Sequence, residues 1–69
     1  MSALEYGMRL RINFTTKAVS LCLERKYEDA FRLFKSYLEL AANNKDPQYA
    51  EAAALELTEA AAQLGIPLK

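Results

Sequence analysis

The chain has 69 residues and no net charge, since nine lysines and arginines balance nine aspartates and glutamates, and it contains one cysteine and no histidine. A lone thiol without histidine excludes an intrachain disulfide, the usual zinc, copper and iron ligand sets and the common nucleophile and base pairs, so we expect no metal, no cofactor and no catalytic residues. Apolar residues make up 52% of the chain and charged residues 26%, which favours one folded domain over residues 1–69.

The first segment matches two structural templates. A helical period places four apolar residues on one face of a helix over about residues 10–25: Leu10, Phe14, Ala18 and Leu21. Ile12, Val19 and Leu23 lie beside that face. With a period of two, residues 8–15 alternate apolar and polar side chains, as in a half-buried strand. The sequence leaves this choice open. Gly7 disfavours a helix in the first turns, so we expect residues 1–9 to be flexible, frayed or extended.

The second segment predicts a helix over about residues 27–43. Its main apolar face has six members: Ala30, Leu33, Phe34, Tyr37, Leu40 and Ala41. Phe31 and Leu38 add a second apolar flank outside that face. A helix that is apolar over most of its circumference must be covered on more than one side, so we predict that it is the central element.

The third segment carries the signals of a single helix over about residues 47–64. Asp46 is a favoured N-cap, Pro47 fits the first turn, and Gly65 follows the predicted end. Spacings of four and three place five residues on one seam, which Ala53 and Ala60 broaden: Ala50, Ala54, Leu57, Ala61 and Leu64. Because most of these side chains are small, we expect the seam to pack closely on the second helix, with Ala52 on the opposite, polar stripe.

Six residues around the junction of the first two helices are spaced as in a known helical hairpin: Phe14, Ala18, Leu21, Tyr27, Ala30 and Phe34. The pattern resembles a tetratricopeptide repeat, although Arg25 stands where that family commonly has glycine. With the third helix added, the chain is similar in order and length to the microtubule-interacting-and-trafficking domain. In that family a groove beside the third helix accepts a partner helix. The resemblance implies an adaptor-type interaction domain.

Three apolar residues lie outside the main faces and are predicted partner contacts: Phe31, Leu38 and Leu55. A domain of this size hides only about 60% of its unfolded surface and commonly gains stability from a partner. The leading interpretation is therefore an all-α, three-helix protein-interaction module. It would form a homodimer or dock on a larger protein.

The alternative interpretation follows from the strand template. If residues 8–15 form a strand, Arg9, Arg11 and Asn13 share its outer face. Two such strands would resemble the antiparallel ribbon of ribbon-helix-helix repressors, and these side chains would contact DNA. The absence of net positive charge disfavours nucleic acid as a partner, because DNA-binding proteins draw much of their affinity from cationic contacts with phosphate.

The sequence also bears on location. No stretch reaches the roughly 18 to 20 uncharged apolar residues of a membrane-spanning helix, and the N-terminal part lacks the pattern of a secretory signal. An unpaired Cys22 fits a reducing compartment. We therefore expect a soluble, cytoplasmic protein that does not act at a membrane.

Overall fold

The computed structural model describes residues 1–68, which form three α-helices and no strand. The helices are α1 (Ala3–Leu23), α2 (Tyr27–Ala42) and α3 (Pro47–Gln63). The predicted all-α, three-helix fold is confirmed. The α1–α3 interface is the most extensive of the three. None of these helices combines the length and the apolar character needed to cross a membrane.

Aromatic contacts set the directions of the helices. Tyr6 near the start of α1 packs on Tyr49 near the start of α3, with ring centroids 5.4 Å apart. Further along α1, Phe14 contacts the rings of Phe34 and Tyr37 in α2, at 5.9 and 5.7 Å. Thus α1 and α3 run in the same direction, and α2 runs antiparallel to both and packs against the pair from one side. The prediction that α2 is the central element is wrong, since α1 and α3 share the most extensive interface.

The start of α1 corrects the sequence prediction. Residues 3–9 are helical, so the expectation of a frayed or extended segment there is wrong, and so is the strand over residues 8–15. Ser2 caps the helix by accepting a hydrogen bond from the Glu5 amide at 3.1 Å. Gly7 is buried in the α1–α3 contact, and a β-carbon there would lie 3.0 Å from the Ala52 carbonyl oxygen. The glycine serves close helix packing rather than chain flexibility.

The first and third helices end in the same hydrogen-bonding pattern. After α1, the Lys26 amide donates a hydrogen bond to the Leu21 carbonyl oxygen at 2.8 Å, and the Arg25 amide donates one to the Cys22 carbonyl oxygen at 3.0 Å. After α3, the corresponding bonds run from Ile66 to Ala61 and from Gly65 to Ala62, at 3.0 and 3.1 Å. This is the Schellman motif, which needs a left-handed residue just past the helix end. Gly65 fills that position with φ 77°, whereas Arg25 does so with φ 60°.

The core lies between all three helices, and each helix contributes both large and small side chains to it. Phe14 and Leu57 are its largest fully buried side chains. The fully buried alanines are Ala18, Ala30, Ala41, Ala53 and Ala61.

The buried face of α3 is shifted towards the residues that broaden the predicted seam. Ala53, Leu57, Ala60 and Ala61 are buried, as the seam and its two flanking alanines predicted, whereas Ala50 and Ala54 are only half-buried. Ala52 is also half-buried and lies beside Gly7, so its assignment to a solvent-facing stripe is wrong. The reason is that α3 packs on α1 as well as on α2.

Candidate protein-interaction surface

The most distinctive surface feature is a row of exposed apolar side chains along α1, which we call the α1 stripe. It runs on the face of α1 turned away from the core. Leu4 and Ile12 are each 61% exposed and Leu23 is 81% exposed. The stripe has five members: Leu4, Met8, Ile12, Val19 and Leu23.

The α1 stripe explains why the sequence also matched a strand. Residues two apart on a helix point about 200° apart, so they lie on nearly opposite faces. Leu10 and Phe14 point into the core, whereas Met8 and Ile12 belong to the stripe. The apolar alternation over residues 8–15 is therefore the sum of two helical faces, one buried and one exposed.

A groove opens beside the stripe, between α1 and the second half of α3. Its cavity volume is about 640 Å³. Ile12 and Val19 of the stripe form part of its wall, and the α3 side is contributed by Ala60, Gln63 and Leu64. The polar side chains at its edge are Arg11, Thr15, Thr16 and Gln63. The groove is apolar enough to accept a side chain from a partner and has polar atoms at its margin.

Arg11 ties α1 to α3 at one end of the groove. Its guanidinium donates to Glu56 at 3.0 Å, to Glu59 at 3.2 Å and to the Gln63 side-chain oxygen at 3.0 Å. The hydrogen bonds to Glu56 and Glu59 raise the pKa of Arg11 above its ordinary value. The cation is matched by carboxylates of its own chain, so this rim of the groove carries no surplus positive charge.

The predicted partner contacts fall in different environments. Phe31 and Leu38 are half-buried and pack against the core, with the Phe31 and Phe34 ring centroids 6.4 Å apart. Leu55 is 65% exposed on α3. Of the three, only Leu55 is a largely exposed side chain. The α1 stripe contains more exposed apolar side chains. Its spacing of four, four, seven and four is present in the sequence, but the spacing alone does not show which apolar face of α1 the other helices cover.

The residues of the nucleic-acid alternative do not share a face. Arg9 and Asn13 are exposed on α1, and Arg11 is engaged by Glu56 and Glu59. Because residues 8–15 are helical, side chains at 9, 11 and 13 alternate between sides of the helix. The strand on which the DNA-binding interpretation depended is not formed, since residues 8–15 are helical.

Comparison of the chain with models of known protein families, with curated proteins and with solved structures gave no match. The arguments about function therefore start from the α1 stripe and the groove beside it.

Proposed function

We propose that this chain is a non-enzymatic helical protein-interaction module that binds its partner through the α1 stripe and the adjoining groove. The main support for this proposal is the position of the stripe, since five large apolar side chains are exposed along the whole length of α1. Contiguous apolar surface on a small domain marks a binding site when single exposed residues would not.

The shape of the surface favours a helical partner segment. From Leu4 to Leu23 the stripe covers twenty residues of one helix, and the nineteen steps between its ends correspond to about 28 Å. A straight, narrow, apolar surface of this length is matched by another amphipathic helix, whose apolar side chains recur every three or four residues.

The composition of the groove supports binding rather than catalysis. Among the residues that line it there is no carboxylate, imidazole or thiol. These are the groups that most often act as general acids, general bases or nucleophiles. An apolar groove with amide, hydroxyl and paired guanidinium groups at its edge suits recognition of a side chain.

The proposal can be tested without knowing the partner, by panning a displayed library of helical peptides against the chain. Peptides that bind the wild-type chain should lose binding to the Ile12→Asp variant. They should keep binding to the Leu55→Asp variant, which places the same charge at an equally exposed leucine outside the stripe. Peptides that respond only to Leu55→Asp would place the binding site elsewhere and contradict the proposal.

A further inference from the structure

The α1 stripe has an internal symmetry that binding to an unrelated protein would not require. With Thr15 included, the row has spacings of four, four, three, four and four residues. The same spacings are read from either end, and their centre lies between residues 13 and 14. In each symmetric pair the two residue numbers add up to 27: Leu4 and Leu23, Met8 and Val19, Ile12 and Thr15.

We propose that the α1 stripe binds the α1 stripe of a second copy of this chain, antiparallel, about a two-fold axis near residues 13 and 14. The inference rests on the proposed function, in which the stripe is the interaction surface. A two-fold interface places the same patch on both subunits, so the patch must be complementary to itself. The symmetric spacing meets this requirement. It sets Leu4 opposite Leu23 of the second copy at both ends of the contact.

The groove supports the same arrangement. It borders α1 over residues 12–19. In the antiparallel pair the segment of the second copy that lies opposite is residues 8–15, so Met8 and Ile12 of that copy face the groove. Met8 is exposed and does not line the groove of its own chain. Its flexible side chain suits an irregular cavity. Each copy thus supplies a projecting Met8 side chain and a groove. The two-fold axis places the Met8 side chain of each copy at the groove of the other copy.

Sedimentation equilibrium at micromolar concentration tests the self-association. We expect a dimer for the wild-type chain and for Leu55→Asp. For Ile12→Asp the dissociation constant should rise by about tenfold or more, because a charge would be buried next to Thr15 of the second copy. Circular dichroism establishes that both variants keep the helical fold.

Spin-label distances test the geometry without altering the stripe. In a Cys22→Ala background, a nitroxide is attached at Asn13→Cys or at Ser20→Cys, since both positions are exposed. Antiparallel pairing displaces the two position-13 labels by about 1.5 Å along the helices and the two position-20 labels by about 20 Å. A clearly longer distance at 20 than at 13 supports the proposal. Equal distances would indicate a parallel pair and overturn it.

The possible outcomes separate this inference from the proposed function. A wild-type chain that stays monomeric while library peptides still bind through Ile12 would overturn the inference and leave the interaction module standing. A dimer that is insensitive to Ile12→Asp would overturn the inference by placing the contact elsewhere. A monomer that binds phospholipid vesicles through α1, and no peptide, would overturn both.

Discussion

The backbones of Gly7 and Ala52 approach so closely that a β-carbon added at residue 7 would lie 3.0 Å from the Ala52 carbonyl oxygen. The same carbon would lie 3.3 Å from the Ala53 nitrogen. These neighbours are backbone atoms of α3 and cannot rotate away as a flexible side chain could. The contact fixes the distance between α1 and α3 at the end where both helices begin.

We predict that Gly7→Ala destabilises the chain. Alanine is the better helix former by about 1 kcal/mol, but overpacking a close contact typically costs about 1 to 3 kcal/mol, so we expect a net loss of about 1 kcal/mol. Thermal melts followed by circular dichroism measure the change. The control is Asn13→Ala, which adds the better helix former at an exposed position and should raise the midpoint. A more stable Gly7→Ala variant would show that the two backbones can separate at no cost.

The ion pairs of Arg11 should contribute to the α1–α3 interface in a salt-dependent manner. We predict that Arg11→Met lowers the thermal midpoint at low ionic strength, and that the difference from wild type shrinks as sodium chloride is added. Arg9→Met is the matched control, because Arg9 is exposed and forms no ion pair within residues 1–68. A salt-independent loss in Arg11→Met would assign its role to packing of the side-chain stem.

The pH dependence of this contribution follows from the direction of the shift. The folded-state pKa of Arg11 is raised, chiefly by the hydrogen bond with Glu56. Stability gained in this way is complete below the pKa of arginine in the unfolded chain and is lost only as the pH rises through the higher folded value. Melts from neutral to moderately alkaline pH should therefore show no loss from deprotonation of Arg11. A midpoint difference between wild type and Arg11→Met that vanished in this range would contradict the assignment.

The alanines of α3 provide a test of which face is buried. Ala53 and Ala61 are fully buried, whereas Ala62 is exposed. Enlarging either buried alanine to leucine should cost about 1 to 3 kcal/mol through overpacking, a large share of the stability of a domain this small. The control Ala62→Leu should change the midpoint little, because alanine and leucine have similar helix propensity. Equal midpoints for Ala61→Leu and Ala62→Leu would mean that α3 is rotated about its axis.

The number and order of the helices, and their approximate bounds except for the start of α1, followed from the sequence because capping and periodicity are local properties. Asp46 caps α3 by accepting from the Gln48 amide at 3.0 Å, as its position before Pro47 predicted. Gly7 was misleading, since its small size serves a contact with a residue 45 positions away. Helix propensity alone indicates a weak position there and carries no information about α3.

The candidate surface was harder to predict than the fold. Ile12, Val19 and Leu23 were assigned beside the apolar face of the first helix, yet all three are exposed. A broad apolar face and two separate faces give similar patterns in a single sequence. Only the positions of α2 and α3 show which part of α1 they cover. Conversely, Phe31 and Leu38 extended beyond the predicted main face of α2 and proved to be part of the core wall.

Arg25 provides the last prediction, because it occupies a left-handed position in the turn between α1 and α2 with φ 60°. Its β-carbon disfavours this conformation by about 1 to 2 kcal/mol, whereas glycine adopts it without that cost. Glycine also increases the entropy of the unfolded chain, which offsets part of this gain. We therefore expect Arg25→Gly to stabilise the fold by a net amount of about 0.5 to 1 kcal/mol. Urea unfolding measures this gain as a shift of the transition midpoint at constant slope.

The equivalent position after α3 supplies the matched control with the opposite sign. Gly65 has φ 77°, and a β-carbon there would meet no atom within 4 Å, so substitution introduces backbone strain without a steric clash. Gly65→Ala should therefore destabilise the chain by about 1 kcal/mol. If Arg25→Gly lowered stability while Gly65→Ala also did so, the Arg25 side chain would be making a stabilising contact that outweighs the strain of its backbone.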